Sequence, residues 1–314
     1  MDILIDEKND GITLLQFIKR NTDISSAHLK RLKFTDGGIT VNGRHATVRY
    51  VLKKGDILSL ATEDKESPPH ITTCKLPIDI AYEDEDCVIP SKPADMPTHP
   101  SRDHYDDTVA NALAFRYGEL CIPFVFRPVN RLDRNTSGLL IVAKNRIAAG
   151  KLSAAMAEGK IKKTYLAILS GKLPQKEGKI ETNLRRTSGS IIVREVCGEN
   201  EGGDYALTEY RVLLEKNGYS LVAASPITGR THQLRVHFSS LGCPILGDDL
   251  YGEPSPLIDR QALHSALVSF PKPSNGETIS VTAPPPEDMQ KVIAILFGKT
   301  ALGVSDPTAI TDPF

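Results

Sequence analysis

The chain has 314 residues, of which 40% are hydrophobic and 25% charged, and its net charge is −1. This is the composition of a soluble globular protein with room for one large domain and one small one. It holds no apolar run of about 18 residues that would span a membrane, and the acidic start MDILIDEKNDG does not read as a signal peptide.

The near-zero total charge hides a division. Residues 11–60 carry nine bases against three acids, a net of +6, whereas 61–86 carry eight acids against two lysines, a net of −6. A basic module followed by an acidic connector is the asymmetry of a nucleic-acid-binding head, the plain alternative being a solvated lysine-rich surface. In this module Thr13 and Gln16 have capping-box spacing ahead of Leu14, Leu15 and Ile18. Ser25 or Ser26 can cap a second helix carrying Leu29 and Leu32, with Lys30, Arg31 and Lys33 among its other positions. Asn42-Gly43 predicts a tight turn before Arg44, and Lys54-Gly55-Asp56 another before Ile57–Leu60. This order of helix, basic helix, I-x-V-N-G and K-G-D resembles the S4 domain, a small α/β RNA-binding fold. The resemblance covers 11–60 and implies RNA-phosphate contacts by Lys30, Arg31, Lys33 and Arg44. Such contacts supply affinity and register more than sequence choice.

Residues 61–75, polar and containing Pro68-Pro69, predict a linker. From 76 to 297 strand-like and helix-like segments alternate, and 298–314, without periodicity, is expected as a flexible tail. The most informative stretch is Arg127–Lys144, RPVNRLDRNTSGLLIVAK. It sets one carboxylate, Asp133, between Arg131 and Arg134 in a loop, ahead of a polar turn and the apolar run Leu139–Ala143, which reads as a buried strand. Taken alone, an aspartate between arginines is more often a structural ion pair than a catalytic group. Further on, Tyr219–Ala224 reads as a strand, and Thr231 is placed to cap a helix to about Leu241, with Gly242 as its stop. His232 and Arg235 then share a face near the helix start, with Arg230 just before it, an arrangement suited to an anion. His232 and His237, five residues apart, do not share a face as metal ligands would. The five cysteines form no CxxC pair and are expected as reduced thiols of a cytoplasmic protein.

Five blocks in order, spanning about 200 residues, resemble the RluA-type pseudouridine synthases. They are IPSKPADMPTHP (Ile89–Pro100), the RLDRNTSGLLIVAK segment, KTYLAILSG (Lys163–Gly171), TGRTHQLRVHFSSLGCPILGDDLYG (Thr228–Gly252), and LHSALVSF with its closing GETISVTAPPPEDM. The resemblance implies an α+β catalytic domain over 76–297 with a mixed, mainly antiparallel sheet. It implies Asp133 as catalytic aspartate, Arg235 as its cationic partner and Tyr165 facing the base. Arg131 and Asn130 are expected to help swing the uridine out of its stack, and Arg230 and His232 to contact RNA. Two positions depart from the family pattern, Asn130 in place of the usual His and Asp95 in place of the usual Gly. They bear on substrate choice more than on the reaction.

The implied reaction breaks the N1–C1′ bond of uridine, turns the uracil over and rejoins it through C5. It has no redox or phosphoryl step, so no cofactor and no metal is expected, and the chain carries no P-loop or G-x-G-x-x-G. Asp133 can attack C1′ or C6 as a nucleophile or remove a ribose proton as a base, and it must be ionised for each. A cation in a dry pocket would favour that form. Large-subunit ribosomal RNA is the expected partner, transfer RNA the second, and the protein is expected to act as a monomer. Two other readings stay open. One is a non-enzymatic RNA-binding or ribosome-assembly protein; the other is a hydrolase using Asp133 as glycosidases do, which needs a second carboxylate, with Asp248 and Asp249 candidates in name only.

Overall fold

The structure, a computed structural model, describes residues 1–22, 24, 26–61 and 71–304. Ser25, residues 62–70 of the expected linker and 305–314 of the expected tail lie outside the described residues.

The N-terminal part is a four-stranded antiparallel sheet in the order Asp2–Leu4, Ile57–Leu60, Ile39–Val41, Arg44–His45. Helix Leu14–Asn21 starts at the expected capping box: Thr13 Oγ1 accepts the Gln16 N–H at 3.3 Å, and Gln16 Oε1 accepts the Thr13 N–H at 3.0 Å. Leu14, Phe17 and Ile18 pack with Leu29 and Leu32 of helix Ser26–Leu32 and with Ile39, Val41, Leu58 and Leu60 of the sheet. Asn42 and Gly43, at φ 49° and 75°, form the predicted tight turn. The unit begins at Asp2, ahead of the boundary expected at 11, because Asp2–Leu4 supplies an outer strand and Ile5 a buried side chain.

The larger part is α+β, built on a 12-stranded, mainly antiparallel sheet. Its middle runs Tyr219–Pro226, Lys162–Ser170, Leu263–Pro271, Ser137–Leu139, Cys87–Lys92. Among these neighbours only Leu263–Pro271 and Ser137–Leu139 pair in parallel. Leu139, Ile141 and Ala143 pack with Ala148 and Leu152 of helix Arg146–Ala157, while Leu140 and Val142 pack with Val109 and Leu113 of helix Val109–Glu119. With both faces covered, the run can be apolar without alternation. It is nevertheless two strands, Ser137–Leu139 and Val142–Ala143, and not one. Leu140 donates to the Pro90 carbonyl at 3.1 Å, and Pro90 has no N–H to complete the ladder there.

Gly138 carries the parallel pairing. Its φ is 110°, and a Cβ added to it would lie 2.2 Å from the Ser265 carbonyl oxygen, so only glycine fits. The expected tail contains a short helix, Ala301–Val304, with Ala301 buried in the same cluster as Leu296 and Phe297 of helix Glu287–Phe297.

Candidate active site

Asp133 lies in the loop that leads into Ser137–Leu139, and the backbone around it is held from several sides. Ahead of it, Thr98 Oγ1 donates to the Leu132 carbonyl at 3.0 Å and accepts the Leu132 N–H at 3.3 Å. Behind it, the buried Lys92 ammonium donates to the Arg134 carbonyl at 2.8 Å, and to those of Pro93 and Met96 at 2.9 and 2.8 Å. Arg260 Nη1 donates to the Asn135 carbonyl at 3.1 Å and Gln261 Nε2 to Thr136 Oγ1 at 3.3 Å. Ser137 Oγ lies 2.9 Å from His264 Nδ1. His264 Nε2 faces the Ala283 carbonyl at 3.1 Å; a carbonyl only accepts, so Nε2 carries the proton and Nδ1 receives the Ser137 hydroxyl. Four successive residues, 134–137, are thus gripped by four different side chains. Arg260 is itself anchored by a two-pronged pair with Asp288, at 2.7 and 3.0 Å. Burial pulls the Lys92 pKa down to about 7, against the opposing charge of Asp133. Its three carbonyl partners match the three protons of the charged form.

The Asp133 carboxylate, 22% exposed, opens into a cavity of about 580 Å³ that Arg131, Lys163, Tyr165, His232 and Arg235 also line. That volume is within the range of small-ligand sites. Arg235 Nη1 is 3.8 Å and His232 Nε2 4.0 Å from Asp133 Oδ2. The closer partner of Arg235 is Asp248, reached from Nε at 2.7 Å and Nη2 at 2.6 Å, with both groups buried. Burial lowers the Arg235 pKa, but the Asp248 hydrogen bonds and the charges of Asp248 and Asp133 hold it above the ordinary arginine value. The Tyr251 ring lies against the guanidinium, 5.0 Å from its carbon. Fully buried and bound to Arg235, Asp248 cannot serve as the second carboxylate of a glycosidase-like site.

The helix that presents Arg235 runs Gln233–Ser240 and does not begin at a Thr231 cap. His232 precedes it at φ 58°, a left-handed conformation that strains a non-glycine residue by roughly 1 kcal/mol. Gln233 organises the turn instead: its Oε1 accepts from the Arg230 N–H and the Thr228 hydroxyl, and its Nε2 donates to the Leu207 carbonyl and Thr208 Oγ1. Tyr251 Oη accepts the Arg194 N–H and meets His232 Nδ1, each at 2.8 Å. When the phenol donates to Nδ1, the neutral imidazole carries its proton on Nε2, the nitrogen 4.0 Å from Asp133. Burial lowers the His232 pKa, with the Asp133 charge opposing it. Asp248, Tyr251 and Gln233 all fall inside the Thr228–Gly252 block, but nothing in their spacing marks them as partners of Arg235 and His232.

Tyr165 sits on the central strand, opposite Ala224 on one side and Ser265 on the other. Burial, then the Asp133 charge, push its phenol well above the ordinary tyrosine value, so it stays protonated at neutral pH. Arg131 is exposed at the cavity, and Arg230, also exposed there, donates from Nε to the Tyr205 carbonyl at 2.9 Å. Asn130 lines the cavity too, yet its Oδ1 accepts the Ile141 N–H at 2.8 Å, so the amide braces the break in the apolar run. Asp95 takes φ 60°, a conformation that favours glycine, and its carboxylate meets Arg134 at 2.6 Å, which offsets its charge. Lys30, Arg31, Lys33 and Arg44 are exposed on the N-terminal unit and line no part of the Asp133 cavity. Beside Lys30 and Arg31 stands Phe34, 83% exposed, an aromatic that sequence reading passed over. Among the described residues no group of three or more His, Cys, Asp or Glu side chains is arranged to hold a metal.

Comparison with known proteins points one way. Residues 86–240 match the family model described as RNA pseudouridylate synthase. The "Uncharacterized RNA pseudouridine synthase YjbO" of Bacillus subtilis (strain 168) is 39% identical over 270 residues, covering 86% of this chain and 94% of that protein. The "Ribosomal large subunit pseudouridine synthase D" of Zymomonas mobilis subsp. mobilis is 36% identical over 290 residues, covering 88% and 90%. Among solved structures, "Human RNA Pseudouridylate Synthase Domain Containing 1" superposes with a TM-score of 0.56 at 32% identity, covering 67% of this chain and 84% of that one.

Proposed function

The chain belongs to the RNA pseudouridine synthase family, and on that premise we propose that it isomerises specific uridines of large-subunit ribosomal RNA, with Asp133 as the catalytic carboxylate. The observation that carries the assignment is the state of that carboxylate. Its backbone is gripped on both sides, yet its oxygens accept no hydrogen bond among the described residues, the nearest cation standing 3.8 Å away. A carboxylate held in place by its backbone, with its oxygens free of hydrogen bonds in a cavity, is ready for a substrate atom.

In this reading the target uridine is extruded from its stack, and the exposed Arg131 at the rim holds the RNA it leaves behind. The uracil lies against Tyr165, whose protonated phenol offers an apolar face with a polar tip. Breaking N1–C1′ leaves negative charge on the uracil, and Arg235 with the His232 Nε2–H offers fixed positive ends close to it. C5 then bonds C1′, the C5 proton leaves and N1 regains one, so the reaction is an isomerisation without a net reactant. Asp133 as nucleophile and as base both fit this geometry. Ribosomal RNA is the reading that the names of relatives such as the Zymomonas protein support, and the net +6 of residues 11–60 suits phosphate contacts by Lys30, Arg31, Lys33 and Arg44.

Pseudouridine mapping of total RNA tests this, in cells lacking the gene and rescued with wild type or Asp133→Ala. The expected result is a large-subunit site lost in the knockout and restored by the wild type alone. A site in transfer RNA would overturn the ribosomal assignment, and restoration by Asp133→Ala would overturn the role of Asp133.

A further inference from the structure

Lys163 is the one charged residue of the K-x-Y segment, and the proposed reaction leaves it without a task. It is 8% exposed, lies two positions before Tyr165 on the central strand, and lines the same cavity as Asp133. Among the described residues its ammonium has no ion pair and no hydrogen bond, in contrast to Lys92, whose three protons are all engaged. A buried cation is ordinarily paired, because removing it from water costs several kcal/mol. Burial accordingly lowers the Lys163 pKa, and no neighbouring charge opposes it. The carboxylate that lines the cavity, Asp133, already faces Arg235 and His232. The lysine stem alone could serve as packing, but packing calls for no ammonium, and a methionine would fill the space without the burial penalty.

We propose that Lys163 binds a backbone phosphate of the extruded uridine, its missing counter-charge arriving with the substrate. The inference rests on the reading that this cavity receives the target nucleotide. Of the groups the unreacted target nucleotide brings, only the backbone phosphate carries a full negative charge. A uracil carbonyl can accept a hydrogen bond from the ammonium but cannot cancel its charge. The 2′-hydroxyl is weaker still as a partner. Empty, the site holds a largely buried lysine with no protein counter-charge; filled, it holds the ammonium against a phosphate as an ion pair. Lys163 is therefore a binding residue whose effect belongs to KM, while Asp133 and Arg235 act on kcat.

The test compares wild type with Lys163→Met, Lys163→Arg and Lys163→Gln on total RNA extracted from cells lacking the gene, which contains the target whatever its class. We expect Lys163→Met to raise KM about tenfold with kcat nearly kept, and to melt no lower than wild type. The slope of log KM against log salt should become shallower by roughly 0.7 to 0.9, as expected when one phosphate is no longer neutralised. Lys163→Arg should keep the wild-type slope, and Lys163→Gln repeats the measurement should the methionine variant fail to fold. An unchanged KM and salt slope in Lys163→Met or Lys163→Gln would overturn the proposal, as would a raised KM with the slope intact, which would indicate a base contact. If the wild type itself forms no pseudouridine in this RNA, the reading of the cavity falls, an outcome distinct from failure of the lysine variants alone.

Discussion

Arg235 and Asp248 form a bidentate pair, at 2.7 and 2.6 Å with both groups buried, that turns the remaining nitrogen, Nη1, towards Asp133 at 3.8 Å. Asp248 also accepts the N–H groups of Leu250 and Tyr251, each at 3.1 Å, so its carboxylate is itself fixed to the following turn. The guanidinium beside the Asp133 carboxylate is thus aimed by a buried residue that does not line the cavity. Asp248→Asn keeps the shape and removes the charge. It should cost about 3 kcal/mol of stability, the usual result of leaving one partner of a buried pair. It should also lower kcat roughly a hundredfold, in line with misplacement of a catalytic group by about 1 Å. Urea unfolding and single-turnover kinetics on the same preparation check both; a folded variant with wild-type kcat would separate Arg235 from catalysis.

The grip on residues 134–137 makes a second prediction. Lys92→Met removes the donor to the Arg134 carbonyl and Arg260→Met the donor to the Asn135 carbonyl. Each should lower kcat by about 10- to 100-fold with little change in KM, because the loop loses its position and not its hold on RNA. The double variant should fall short of the product of the two effects, since both act on one loop. Multiplicative losses would show that the two side chains act independently.

Two buried histidines contribute to the acid stability of the protein. Burial holds His237 and His264 at about 4, against an ordinary value of 6.5. Between these values the unfolded chain binds protons that the folded one refuses. The contribution is therefore complete above pH ~6.5 and is lost as pH falls towards ~4, on the order of 3 kcal/mol for each histidine. Urea midpoints taken between pH 4 and 7 should drop steeply on the acid side, and His264→Asn should flatten part of that slope. A midpoint independent of pH over this range would contradict the neutral assignment.

Gly138→Ala tests the parallel strand pair directly. The methyl group would have to occupy space 2.2 Å from the Ser265 carbonyl oxygen at a φ of 110°, so both the packing and the backbone oppose it. We expect a loss of at least about 3 kcal/mol with activity falling alongside, read by thermal melting. A stable, active variant would mean that the two strands can separate without disturbing Asp133.

Charge reversal on the N-terminal unit should act on binding alone. Lys30→Glu with Arg31→Glu should raise KM for RNA and reduce the salt slope by roughly 0.7 to 0.9 for each phosphate that is no longer neutralised. The kcat at saturating RNA should stay near wild type, because neither residue lines the Asp133 cavity. A fall in kcat with KM unchanged would place these side chains in the chemical step.

What could be read from the sequence is what depends on neighbours along the chain. The Thr13–Gln16 capping box, the Asn42-Gly43 turn and the burial of Leu139–Ala143 are set by side chains acting on backbone within a few residues, and all three are present. The pattern around Asp133 put that carboxylate forward as the candidate, and the family followed from five short blocks. The start of the Gln233–Ser240 helix was misplaced because the local rule favours a Thr cap, whereas Gln233 reaches across to Leu207 and Thr208 and fixes the turn from another strand. The break in the apolar run was likewise hidden, since it depends on Pro90 lying opposite Leu140. Above all, the partners that position Asp133 come from far along the chain: Lys92 reaches Arg134 across 42 residues and His264 reaches Ser137 across 127. Spacing in a sequence constrains residues one or two helical turns apart, so it can name a candidate group. Which side chains aim that group is decided only when strands distant in sequence pair and close the cavity around it.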